Sequence, residues 1–165
     1  MIWPAVAILG FVTLQRLFEI QLAESHSRKL LAVGAVEYGR EHYAFIVALH
    51  ATWLAALWWW APGRPISLPF LILFAFLQLG RVWVIRSLGE RWTTRIIVKP
   101  GAPLVQRGPY RFVNHPNYMV VIGEIAVLPL VFGLWQIAAI FSLLNAAILT
   151  VRIRAENRAL ASLRG

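Results

Sequence analysis

The sequence contains no cysteine and no aspartate. Without cysteine there is no disulfide, no thiolate metal site, no catalytic thiol and no prenylated tail. All 7 acidic residues are glutamates. Charge is scarce altogether: 14% of the 165 residues carry one, against about 25% in soluble globular proteins. Internal repeats and low-complexity tracts are also missing. What fills the chain is apolar, 59% of it, with 8 Trp, 9 Phe and 4 Tyr. A chain this short cannot hide that much apolar surface from water, and disordered chains are polar and poor in aromatics. The bilayer is the remaining solvent. A span takes about 20 residues, so the length allows roughly five.

The reading is an all-α polytopic membrane protein, a single domain over residues 1–165. The expected spans are 2–22, 43–61, 69–88, 118–133 and 136–152, the last continuing as a helix to Leu163. The second ends in Trp58-Trp59-Trp60, an interfacial belt. Gly133-Leu134-Trp135 leaves room only for a tight hairpin. No cleavage-like site follows the first span, which reads as a retained anchor. Net charge is +9. On a soluble protein that would suggest nucleic acid; here it points to topology and an anionic ligand, with no nucleic-acid partner. Five spans put Arg28, Lys29 and Arg40, six cations from Arg86 to Arg111, and Arg152, Arg154, Arg158 and Arg164 on one side, with Arg64 on the other. That asymmetry implies a cytoplasmic C-terminus and an external N-terminus.

Chemistry concentrates in two places. The segment from Gly89 to Asn117 is too short for a dinucleotide-binding domain and holds no G-x-G-x-x-G. Within it Gly108-Pro109 marks a turn, and Pro116 permits a helix to start while keeping His115 out of helical geometry. Asn114 or His115 then sits near the N-cap of the fourth span, and a helix N-terminus beside several Arg is an anion site. The tyrosines offer faces for a planar ring. The second place is Arg152-Ile153-Arg154-Ala155-Glu156. Arg152 and Glu156 share a helix face with Leu149 and Asn145, the last roughly 10 Å deeper. This stripe suits a pocket opening into the bilayer, with a guanidinium for an anionic head group and Glu156 as acceptor for a ribose or an ammonium.

Gly108-Pro109-Tyr110, His115-Pro116-x-Tyr118 and Arg152-Ile153-x-x-Glu156-x-x-x-Leu160 together resemble the isoprenylcysteine carboxyl methyltransferase family of membrane enzymes. The motifs cover Leu104 to Leu160. In the N-terminal half, Gly34-Ala35-x-Glu37-x-Gly39-x-x-His42-Tyr43 and Ile46-Val47-x-Leu49-His50 resemble a bacterial branch that O-methylates alkylpyrones or phenolic lipids. The resemblance implies S-adenosylmethionine as cofactor, held by Leu104, Val105, Tyr110, His115, Pro116, Asn117, Tyr118 and Glu156. It implies Arg152 as the catalytic residue that contacts the acceptor, a lipid-like molecule entering from the bilayer; Asn145, by its place on the Arg152 stripe, and His50, by its place within a span, are read as further substrate contacts. Asn114 stands where the family usually has Arg, and Asn157 where it often has a second Glu. The extra N-terminal spans of eukaryotic members are absent, which points away from farnesylated protein tails.

Plainer readings stand beside these. Arg152 near a helix end can simply snorkel, and His115 can be only a cap. His50 in a charge-free span reads as a neutral imidazole bonded to Asn145 or Glu124. Glu124 suits either a pocket wall or a helix–helix bond. Arg16 with Glu19, and Gln78 with Arg81, read as structural pairs; Arg95 or Arg111 is a candidate for the cofactor carboxylate. The expected function is O-methylation of a carboxylate or acidic enol. The alternatives are a phospholipid-type N-methyltransferase and a non-enzymatic membrane subunit.

Overall fold

The computed structural model describes residues 2–161 and is mostly helical. Five helices follow one another: α1 (Trp3–Ala32), α2 (Arg40–Trp60), α3 (Leu68–Leu88), α4 (Pro116–Val131) and α5 (Trp135–Ala161). The expected run to Leu163, and Arg164 in the charge count, lie outside the described residues. Prolines open three helices at their first turn, where a missing N–H costs nothing: α1, α3 and α4. α1, α2, α3 and α5 are long and apolar enough to cross a membrane. α4 is apolar but has 16 residues, about 24 Å of helix. It is short because Pro116 fixes its start and Pro129, in its last turn, lies just ahead of the left-handed Gly133 at its end. It still runs along α3, with Val120 against Gly80 and Leu77 against Gly123. At the far end the Ser67 N–H donates to the Val131 carbonyl at 2.8 Å.

Two features depart from the hydropathy reading. α1 continues past Leu22 to Ala32 because the polar stretch after the apolar run is still built of good helix formers. The all-α expectation also missed a two-stranded antiparallel sheet, β1 (Val36–Tyr38) with β2 (Ile96–Val98), paired Val36 to Val98, Glu37 to Ile97 and Tyr38 to Ile96. Ile96 and Val98 pack with Ala159 of α5 under this sheet. The pairing brings the α1–α2 loop, the α3–α4 segment and the end of α5 to one end of the bundle. Every loop cation of the described residues except Arg64 belongs to these segments.

Leu9, Trp53, Leu57, Phe74, Leu128 and Phe132 form the main apolar core. One polar cluster interrupts the bundle between its ends. Glu124 of α4, 1% exposed, receives Arg16 Nη2 of α1 at 2.7 Å, Arg81 Nε of α3 at 2.7 Å and Gln78 Nε2 at 2.8 Å. Arg81 Nη2 also reaches its second oxygen. Glu19 takes Arg16 at 2.8 Å and Arg81 at 3.1 Å. Two guanidiniums and two carboxylates thus cancel where solvent cannot screen them. The expected Arg16–Glu19 pair is present. Gln78 and Arg81 do not form a local pair; both turn to Glu124. His50 is bonded neither to Asn145 nor to Glu124: its Nδ1–H donates to the Ile46 carbonyl at 2.9 Å. The carbonyl one turn back on its own helix is in reach, and Glu124 is already bonded to three side chains.

Candidate active site

A cavity of about 730 Å³ opens at the charged end, within the range of small-molecule sites. The segment between α3 and α4 forms most of its wall, and this segment is held in place by short-range devices. Gly108 has a φ of +58° and lies so close to Ser87 that any Cβ would collide with it. The 3₁₀ turn Gly108–Arg111 therefore presses onto α3 and turns Tyr110 toward the cavity. Arg107 Nε donates to the Ser87 carbonyl at 2.7 Å, which ties the same turn down. His115 is the N-cap residue of α4; of the two cap candidates, it occupies that position.

Of the cofactor residues named from the sequence, Leu104, Val105, Tyr110, His115, Asn117, Tyr118 and Glu156 line this cavity, and so does Arg152. Pro116 is buried at the start of α4 and does not line it. Asn145 is buried on α5 two turns below Arg152 and lies off the wall, so the expected stripe enters the cavity only at its end. His50, on α2, is also off the wall. Trp92, Thr93 and Arg95 line the cavity but were not picked out as a group from the sequence, although Arg95 was named for its charge; Thr94 lies behind this wall and reaches the site only through its carbonyl on Arg152.

The polar groups at the site hold one another. His115 Nε2 donates to Asn157 Oδ1 at 3.1 Å, and the His115 ring stacks on Tyr118 with centroids 5.5 Å apart. Glu156 Oε2 is 3.5 Å from His115 Nδ1, an ion-pair separation too long for a good hydrogen bond. That buried oxygen has no hydrogen-bond partner among the described residues. Burial, with Glu156 nearby, pushes the Tyr110 phenol above its ordinary range, so it stays a neutral donor.

Arg152 is 8% exposed. Its Nε donates to the Tyr118 hydroxyl at 2.8 Å and its Nη2 to the Thr94 carbonyl at 2.6 Å, and its guanidinium lies 5.6 Å from the Tyr118 ring centre. No carboxylate is within ion-pair distance of it among the described residues. Its Nη1 has no protein acceptor there either. Both direct partners of this buried guanidinium are neutral, and Glu156 acts on it only at longer range, so the fork keeps room for an anion to complete it. A snorkelling side chain, by contrast, would extend to the water.

The sequence profile described as the Isoprenylcysteine carboxyl methyltransferase (ICMT) family matches residues 70–162. An uncharacterized protein of Bacillus subtilis (strain 168), YpbQ, is 36% identical across 97% of this chain and 96% of its own length. An uncharacterized protein of Haemophilus influenzae is 26% identical across 90% of each. No solved structure matches.

Proposed function

The chain belongs to the isoprenylcysteine carboxyl methyltransferase family, and from that premise we propose that it is an S-adenosylmethionine-dependent O-methyltransferase of a lipid-like anion. Membership makes it a member of a family of integral-membrane methyltransferases. The acceptor oxygen in our reading is a carboxylate or an acidic enol, as in a prenylcysteine or an alkylpyrone. The observation that carries this reading is the buried guanidinium of Arg152 on the cavity wall, whose direct hydrogen-bond partners are both neutral.

The residues present fit the cofactor. Glu156 Oε2 is a buried acceptor with only a long contact to His115 and no good hydrogen bond, suited to a ribose hydroxyl or an ammonium. Tyr110, His115 and Tyr118 offer ring faces, Asn117 a further polar side chain, and Leu104 and Val105 an apolar edge. When bound, S-adenosylmethionine supplies an electrophilic methyl group on a sulfonium. The chain's own work is then alignment and exclusion of water. Arg152 grips the acceptor anion through the part of its fork that the protein leaves unused. A carboxylate or an ionised enol is already a nucleophile, so no general base is required. An N-methyltransferase would need a neutral amine, which a guanidinium does not attract.

We place the cavity in the cytoplasm and the N-terminus outside, with five crossings of a bacterial inner membrane. The clustering of loop cations at the cavity end supports this orientation. The cofactor assignment is tested by titrating S-adenosylhomocysteine into the detergent-solubilised protein. Wild type should bind, and Glu156→Ala and Tyr118→Ala should each weaken binding. A lost polar contact is worth about 1–3 kcal/mol, so the dissociation constant should rise several-fold or more. A wild type that shows no affinity sinks the reading, as does unchanged affinity in both variants.

A further inference from the structure

Thr94 lies in a short strap, Trp92 to Arg95, between the end of α3 and β2. The strap supplies the carbonyl that receives Arg152, and its backbone is held from the other side by the N-terminal half of the chain. His26 of α1, buried, donates Nδ1–H to the Trp92 carbonyl at 2.7 Å. The Tyr43 hydroxyl of α2 hydrogen-bonds Thr94 Oγ1 at 2.9 Å. Arg95 is 3.5 Å from Glu24 of α1 and 3.5 Å from Glu37 of β1, and its guanidinium stands 5.1 Å from the Tyr43 ring centre. Inside the strap, Thr93 Oγ1 donates to the Arg95 carbonyl at 2.6 Å and closes a tight turn. Each tie comes from outside residues 70–162, the part of the chain the family profile matches, except this last one.

We propose that Tyr43, acting through Thr94, is a positioning residue for Arg152, so that the N-terminal half of the chain sets the acceptor side of the site. The inference rests on the reading of Arg152 as the acceptor-binding group. Its physical basis is the shape of the guanidinium. With Nε on Tyr118 and Nη2 on Thr94, the plane of the fork is defined by two acceptors on different elements. The Tyr118 hydroxyl is carried by α4, which is fixed by packing against α3 and α5. The Thr94 carbonyl is in a strap without regular secondary structure, and its place is fixed by side chains. Among these, the Tyr43 hydroxyl is bonded to Thr94 itself. Loss of that bond leaves the Thr94 carbonyl held only through its neighbours Trp92, Thr93 and Arg95, so the second anchor of the fork slackens and the fork can turn about the Tyr118 contact. The direction in which Nη1 presents its hydrogens is then no longer set, and in-line methyl transfer depends on that direction.

The test uses the full-length detergent-solubilised protein as wild type, Tyr43→Phe, Thr94→Val and the double variant. Thr94→Val removes the hydroxyl that Tyr43 holds and leaves the backbone carbonyl. The guanidinium is probed with phenylglyoxal, an arginine-selective reagent, and the rate at Arg152 is read by peptide mass spectrometry against exposed Arg154 as internal reference. Affinity for S-adenosylhomocysteine is titrated in parallel. Each single variant should raise the Arg152 rate several-fold, the double variant no further than either single one, and cofactor affinity and the Arg154 rate should not move. A general loosening of the site would weaken the cofactor as well, and so would overturn the inference. Rates equal to wild type in both single variants, or effects that multiply in the double variant, also overturn it. A wild type without affinity for S-adenosylhomocysteine removes the proposed function instead, while the labelling rates still decide the role of Tyr43.

Discussion

Replacing Arg152 with lysine separates an acceptor-binding guanidinium from a side chain that merely reaches the headgroups. The arginine makes two protein contacts, to Tyr118 and to Thr94, and keeps Nη1 unused. Lysine carries a single ammonium nitrogen. It can stay near the Tyr118 hydroxyl or the Thr94 carbonyl, but it cannot span both and also present a planar fork to a bound oxyanion. The lost interaction is a hydrogen bond to a charged group, worth about 1.5–3 kcal/mol. At 1.4 kcal/mol per factor of ten, turnover over KM should fall by roughly 10- to 150-fold. Part of the loss should appear in kcat, since a misdirected oxygen loses its in-line approach. Cofactor affinity should change little, because Glu156 and the ring faces remain. The assay is methyl transfer from labelled S-adenosylmethionine to a prenylcysteine and to a 4-hydroxy-6-alkyl-2-pyrone, with enzyme matched by folded concentration. Lysine snorkels as well as arginine, so turnover close to wild type in Arg152→Lys would refute the assignment.

Two further expectations follow from the bundle. Glu124→Gln keeps the shape of the side chain but leaves Arg16 and Arg81 sharing the single charge of Glu19. Breaking a buried pair costs about 3–5 kcal/mol, so the thermal midpoint in detergent should drop by roughly 6–20 °C; a midpoint within error of wild type would show that the cluster is not stabilising. Reporter fusions after Gly63 and at the C-terminus should report opposite faces of the membrane, with the C-terminal one in the cytoplasm. Agreement of the two reporters would discard the five-crossing reading.

What was legible in the sequence was local. Apolar runs and opening prolines located the helices, and Gly108-Pro109 and Pro116 located the turn and the start of α4. The motif residues around Tyr110, Tyr118, Arg152 and Glu156 were legible because each is tied to a helix end or a turn that the sequence marks. Contacts between distant segments were not. β1 and β2 are three-residue strands 60 positions apart, with no hairpin turn between them to announce the pairing. The reach of Arg16 to Glu124 spans 108 positions, and periodicity on either helix cannot reveal it. Asn145 shared a helix face with Arg152, yet a face says nothing about where along it a cavity ends. Thr94 was silent because its contribution to Arg152 is a backbone carbonyl, which every residue possesses.

The way the four buried charges are distributed among the helices bears on how the protein enters its membrane. α1 brings one of each sign to the cluster, Arg16 and Glu19, three positions apart, so its share is neutral from the moment it leaves the ribosome. α3 brings only Arg81 to the cluster and α4 only Glu124. Inserted singly, each would bring a naked charge into hydrocarbon, at about 2.5–3.5 kcal/mol on the insertion scale for Arg or Asp. Inserted together, they arrive already neutralised against each other. The 27 residues between Leu88 and Pro116 are then the connector of a hairpin whose two arms have reason to wait for one another at the translocon. The same connector is most of the wall of the cavity, and Arg152 and Glu156 join it only when α5 has followed.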